Sequence, residues 1–185
     1  MKYLIVGAGG TGGVVGYYMT KAGKNVTLIA RGAHLKQMQT KGLTLEKMWD
    51  QSTETIPVKA SDMEHYTEQP DVILVCVKGY SLEDTIPFIQ KVAKKDTVVI
   101  PILNIYGTGA KLQKELPELL VTDGCIYVSA NIKEPGVLLQ HGKILRIVYG
   151  VREKAEERPE LEQIRQDFTD SSIDGILSEN IRREA

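Results

Sequence analysis

The stretch Gly7-Ala8-Gly9-Gly10-Thr11-Gly12 limits what this chain can fold into, because of what stands on either side of it. Before it runs Lys2-Tyr3-Leu4-Ile5-Val6, a short and almost unbroken apolar run of the kind that forms a strand buried on both faces. After it come Val14, Val15, Tyr18, Met19 and Ala22 at helical spacing, with Gly23 to close the helix. A second buried strand is predicted over 25–30. Strand, amphipathic helix and strand in such quick succession predict a βαβ unit with parallel strands and a right-handed crossover. A G-x-G-x-x-G match by itself is weak, but between a buried strand and a helix it gains a physical meaning. Gly7 permits the tight turn, Gly9 lets the backbone approach a pyrophosphate, and Gly12 allows close helix–strand contact. The free N–H groups of the helix N-terminus then face an anion. Gly7, Ala8, Gly9, Gly10, Thr11 and Gly12 are therefore candidate cofactor-binding residues, against the plain alternative of a tight turn with no ligand.

The end of the second strand bears on which dinucleotide such a loop would hold. NAD sites place an Asp or Glu there to accept from the ribose 2′-hydroxyl. This chain has Ala30-Arg31 instead, with no carboxylate nearby. A guanidinium can hold the 2′-phosphate of NADP by charge-assisted hydrogen bonds of about 1.5–3 kcal/mol. That is roughly a ten- to hundredfold preference for NADP, so NADP (NADPH) is the expected cofactor.

Further along, a helix is predicted over 33–41, with weaker strands over 43–47 and 54–60. Asp71-Val72-Ile73-Leu74-Val75-Cys76-Val77 is the most strand-like run of the chain. Ser81 and Asp84 have capping-box spacing and open a helix reaching about residue 94, with Pro87 predicting a kink or a later start. A strand over 97–102 and a helix over 107–116 follow. Strand candidates then crowd together at 121–132, 137–141 and 144–150, with Glu134-Pro135-Gly136 as a turn. A charged connector at 152–158 reads as a solvated loop, Pro159 suits the first turn of a helix to residue 168, and 172–177 reads as a last strand. The fold class expected is α/β, a Rossmann-type doubly wound, mainly parallel sheet with additional strands in the C-terminal third.

Composition closes off other classes. The 23 basic residues against 24 acidic, net −1, lack the electrostatic footprint of a nucleic-acid binder. No run approaches the ~20 apolar residues needed to cross a bilayer, and the N-terminus turns to glycine too soon for a signal-peptide core. A soluble, cytoplasmic protein is expected. Cys76 and Cys125 carry no metal-ligand spacing and read as inert thiols on strands; no metal site is expected. His34, His65 and His141 also share no such spacing, and His34 is read as helix packing.

Lys78 ends the 71–77 strand, and Asn104 follows the 97–102 strand. Both stand at the carboxyl edge of a sheet, where ligands of open α/β folds gather. Each also has a plain reading, as a solvated lysine and a turn-forming asparagine. With these positions the chain resembles the N-terminal domain of the ketopantoate reductase (2-dehydropantoate 2-reductase) family. The matching blocks are KYLIVGAGGTGG, ARGAHL, VCVKGYSLEDTI, PILNIYGTGAKL and GCIYVSANIKEPGVLLQHG, in the family's order. The resemblance implies that the 7–12 loop holds the pyrophosphate and Arg31 the 2′-phosphate, with Lys78 lining the adenosine side. It implies that Asn104 touches cofactor and substrate, and that Ala130 lines the nicotinamide end. The activity implied is NADPH-dependent reduction of 2-dehydropantoate to pantoate, for pantothenate synthesis.

Two departures from the family pattern stand out. Ile105 replaces the family's glycine after the asparagine, which crowds the substrate side and admits another branched 2-ketoacid as substrate. The family's general-acid lysine is expected beyond residue 185, so no catalytic residue is assigned. Residues 1–177 are expected to form the NADP-binding domain. Residues 178–185, with Ser178 as N-cap, would start a helix leading to a second, helical domain. A non-catalytic NADP-binding or sensor module is the reading from another class. The expected partner is a small-molecule 2-ketoacid, with a homodimer as an allowed assembly and neither nucleic acid nor membrane.

Overall fold

The computed structural model describes residues 1–77, 80–103, 107–179 and 181. The chain runs β1 (Lys2–Val6), α1 (Gly10–Lys21), β2 (Asn25–Ile29), α2 (Gly32–Lys41), β3 (Leu43–Lys47), β4 (Ser52–Ile56), β5 (Lys59–Ser61) and β6 (Val72–Val75). It continues through α3 (Leu82–Val92), β7 (Val98–Pro101), α4 (Thr108–Glu115), β8 (Leu120–Val121), β9 (Asp123–Glu134), β10 (Val137–Gly150), α5 (Pro159–Asp170) and β11 (Asp174–Leu177).

Six strands form a wholly parallel sheet in the order β5-β2-β1-β6-β7-β8. Side chains alternate across it as strand geometry requires. Tyr3 and Ile5 join one apolar cluster with Leu28, Val72, Leu74 and Ile100. Leu4 and Val6 join the other with Ile29, Ile73, Val75 and Val99. Both faces are covered, which explains why β1 and β6 read as apolar runs rather than as alternating ones. Phe88, Ile89 and Val92 of α3 and Leu112 of α4 cover the second face. The first face takes α1 and α5, through Val14, Val15, Leu161, Ile164 and Phe168.

A second sheet lies beyond α1 and gives Leu43, Leu45, Leu138, Ile147 and Tyr149 to the same cluster. Its centre is β10, antiparallel to β9 along one edge. Along the other edge it runs parallel to β3 at Val137–Gln140 and to β11 at Arg146–Tyr149. Enclosure of α1 between two sheets corrects the expected amphipathic helix: it is buried nearly all round. Glycines let its neighbours come close at several contacts. A Cβ on Gly12 would stand 1.9 Å from the Gly7 carbonyl oxygen, one on Gly16 2.5 Å from Leu28, and one on Gly13 2.8 Å from Leu138.

Buried polar contacts fasten the layers. The Tyr3 hydroxyl donates to Asp167 of α5 at 2.6 Å, and burial first, then this carboxylate, holds the phenol well above its usual range. Gln163 donates to the other Asp167 oxygen. The Ser81 cap is present, its hydroxyl accepting from the Asp84 N–H, and α3 starts at Leu82 and runs through Pro87 without a later start. Pro159 opens α5 at its first turn, as expected.

Several strands differ from their sequence expectation. The 54–60 run divides at Pro57, which offers no ladder N–H, and its halves enter different sheets. The 121–132 run likewise divides at Thr122, between β8 of the first sheet and β9 of the second. The 137–141 and 144–150 runs join into one strand, β10, with an irregular register against β9 between Gln140 and Leu145. Ser172 has φ 62°, so β11 begins only at Asp174. Arg152 of the supposed solvated connector is 12% exposed, paired with Asp123 at 3.1 Å and donating to the Val121 carbonyl.

Gly12→Ala is expected to destabilise the fold by about 1–3 kcal/mol, since strand or helix backbone must move. Gly142→Ala, where a Cβ meets nothing within 4 Å, is expected to change stability little. Urea unfolding of the two variants side by side checks this.

Candidate functional site

In the sheet order, β1 leads to β2 on one side while β6 lies on the other, so the order in which strands are added reverses beside β1. The carboxyl ends at such a point leave a crevice where open α/β sheets bind ligands. The glycine loop fills this place. Gly7 takes φ 103°, a conformation natural only to glycine, and its N–H donates to the Ile29 carbonyl of β2. The first helical bond of α1 runs from the Gly13 N–H to the Gly9 carbonyl at 2.7 Å. The N–H groups of Gly10, Thr11 and Gly12 therefore have no partner within the helix. Gly9 caps the helix without a side-chain hydrogen bond, so no side chain of the loop itself closes this end.

Facing the loop is a cavity of about 410 Å³, within the range of ordinary ligand sites. Ala8, Gly9 and Gly10 line it with Ala30, Arg31 and His34, and Tyr80, Asn131 and Ile132 complete the described wall. Larger depressions occur elsewhere, of about 790 Å³ beside Lys94 and Glu118 and about 640 Å³ beside Arg158 and Ser178. Neither includes a residue of the glycine loop, and the smaller cavity carries the chemistry.

Arg31 follows β2 and caps α2. Its guanidinium carbon stands 4.6 Å from the centre of the Tyr80 ring. Burial raises the Tyr80 phenol above its ordinary value, with Arg31 drawing it the other way, so the ring stays neutral near pH 7. A neutral ring offers the guanidinium its π face. Nothing acidic lines the described cavity wall. A bare backbone cradle beside an arginine fits a phosphate-bearing ligand with a further anionic group at its arginine end.

The sequence candidates are thus brought together at the loop and Arg31. Ala130 lies on β9 with its carbonyl against the loop: a Cβ on Gly10 would stand 2.5 Å from that oxygen. Its neighbours Asn131 and Ile132 reach the cavity wall, and Asn131 is hydrogen-bonded to His141. Lys78 and Asn104 lie outside the described residues, as does Ile105. The reading of His34 as helix packing is corrected, since both of its ring nitrogens meet loop backbone, and Tyr80 and Asn131 are wall residues that the sequence did not single out. His34 stands one helical turn beyond Arg31, and Tyr80 closely follows the carboxyl end of β6. Those offsets were the available signals.

A family model described as ketopantoate reductase PanE/ApbA matches residues 3–154. The chain belongs to the ketopantoate reductase family. It is 29% identical over 186 residues to the 2-dehydropantoate 2-reductase of Pyrococcus horikoshii, covering 98% of this chain and 57% of that protein. The crystal structure of a PanE/ApbA family ketopantoate reductase from Ralstonia eutropha superposes with a TM-score of 0.85 at 26% identity, covering 98% of this chain and 58% of that one. D-mandelate dehydrogenase, solved with NADH and anilino(oxo)acetate, shares the fold at a TM-score of 0.86 and 23% identity, over 98% of this chain and 58% of its own. The chain thus spans less than three-fifths of the length of these relatives.

The remaining functional candidates are structural. Cys76 and Cys125 are buried, and burial pushes the Cys76 thiol up, away from reactivity. Among the described residues no His, Cys, Asp and Glu cluster could hold a metal, and no helix is long and apolar enough to cross a membrane.

Two outcomes are expected here. Neither cysteine should react with a thiol reagent at pH 8 until the protein is unfolded in denaturant, as thiol titration would show. Tyr80→Ala should weaken pyridine-nucleotide binding about two- to fivefold by loosening the guanidinium beside the cavity, measured by calorimetry.

Proposed function

We propose that this chain is the nucleotide-binding part of an NADPH-dependent reductase that converts 2-dehydropantoate to pantoate. The observation that carries the reading is Arg31, beside Tyr80 on a cavity whose described wall has no carboxylate and whose floor is bare glycine backbone. Membership of the ketopantoate reductase family supports it. A dehydrogenase of the same fold was solved with NADH, so the fold alone does not choose the cofactor and side chains must.

In this reading the loop N–H groups hold the pyrophosphate and Arg31 holds the 2′-phosphate. Ala130 lines the nicotinamide end, which its contact with Gly10 at the start of α1 favours. Lys78 on the adenosine side and Asn104 beside the substrate complete the site by their positions in the family's motifs. NADPH held there would supply a hydride for the ketone carbon. The family resemblance puts the general-acid lysine outside these 185 residues, so no proton donor is assigned among them. A second reading keeps the reaction and changes the substrate: Ile105, where the family has glycine, favours another branched 2-ketoacid.

Arg31→Ala is expected to weaken NADP binding about ten- to hundredfold and to leave NAD binding nearly unchanged. Calorimetry showing equal losses for both nucleotides would remove the 2′-phosphate role. Steady-state NADPH oxidation by the protein at its natural length should be fastest with 2-dehydropantoate. Faster turnover of a different branched 2-ketoacid would establish the second reading.

A further inference from the structure

His34 sits between two pieces of backbone that are far apart in sequence. Its Nε2 lies 2.7 Å from the Ala8 carbonyl oxygen in the glycine loop. Its Nδ1 lies 2.9 Å from the Gly136 nitrogen in the turn between β9 and β10. The partners assign the tautomer, because a carbonyl can only accept and a backbone N–H can only donate. Nε2 therefore carries the hydrogen and donates to Ala8, while Nδ1 accepts from Gly136.

The Ala8 bond falls where the loop has least support of its own. Gly9 caps α1 without a side-chain hydrogen bond, and Gly9 and Gly10 follow Ala8 directly. Such a run is conformationally free, and ordering it on binding costs affinity. A peptide group is planar and trans, so the Ala8 oxygen and the Gly9 N–H point in opposite directions. Holding the oxygen also sets the direction of that N–H. The same oxygen lies close to the first turn of α1, 3.1 Å from where a Gly13 Cβ would stand. His34 thus restrains, from α2 and at a carbonyl, a loop that has no side-chain cap of its own.

The other nitrogen serves a different part of the molecule. Gly136 has φ 79°, and its carbonyl accepts from the Thr44 N–H at 2.9 Å. His34 and Thr44 together pin the turn of the β9–β10 hairpin to α2 and β3.

We propose that His34 is a positioning residue for the cofactor: through Ala8 it presets the peptide of the glycine loop that receives the pyrophosphate. The inference rests on the dinucleotide reading above. It differs from the Arg31 role in one measurable respect. The pyrophosphate is common to NADP and NAD, so loss of His34 weakens both by the same factor.

Side-chain amides separate the two bonds, since the glutamine amide reaches the place of Nε2 and the asparagine amide that of Nδ1. NADP and NAD titrations by calorimetry on the full chain, alongside nucleotide-free thermal unfolding, would compare His34→Gln, His34→Asn and His34→Leu. Loss of one hydrogen bond predicts about a three- to tenfold rise in Kd for both nucleotides in the Asn and Leu variants. The Gln variant should bind nearly as tightly as the parent, even if its Tm falls through loss of the Gly136 bond. Binding losses that follow Tm across all three variants, or unchanged binding in the Leu variant, would overturn the proposal. An unsubstituted chain that binds neither nucleotide would instead overturn the dinucleotide reading, and the role of His34 with it.

Discussion

Everything in this molecule depends on how closely α1 approaches its neighbours. The helix is enclosed by a parallel sheet on one side and a mixed sheet on the other, and its contact positions are glycines. Gly12 lies against the loop backbone, Gly16 against Leu28 of β2, Gly13 against Leu138 of β10 and Gly10 against β9 at Ala130. A Cβ at Gly10 or Gly12 would meet backbone, so the close approach at the start of α1 depends on these two glycines. The glycine-rich sequence therefore serves two purposes. One set of glycines leaves backbone bare toward the cavity, and another lets a buried helix fit its slot.

The βαβ unit and the parallel sheet were legible because their signals are local. A buried strand announces itself by an apolar run, and Ser81 and Pro159 mark helix starts by chemistry that acts within one turn. Arg31 was legible for a similar reason, since its place at the end of β2 follows from the glycine loop before it. What the sequence concealed was allegiance between sheets. The chain passes from β8 to β9 at Thr122-Asp123-Gly124, a polar interruption between apolar residues that does not say which sheet either side joins. Gly142 looks like a break, yet β10 continues through it.

The site followed the same division. His34 and Tyr80 matter through partners distant in the chain, Ala8 and Gly136 for one and Arg31 for the other. Neither has a spacing that reveals the pairing. A histidine on a half-exposed helix offers no clue that both of its nitrogens are committed to backbone. A glycine loop between a buried strand and a helix can be read from the sequence, but the side chains that prop it cannot.

The three-way pairing of β10 has a consequence for how the chain is made. Thr44 and Leu45 form their ladder with Val137 and Leu138, and Arg146 with Asp174. On the ribosome, β3 must therefore wait, with only β4 beside it, until synthesis has passed the whole parallel sheet. Pairings that close such long stretches of chain form slowly. The nascent protein thus spends an interval with β3 paired on one edge only and the buried side of α1 uncovered. That interval, rather than any weakness in the finished fold, is when aggregation and chaperone capture would compete with assembly.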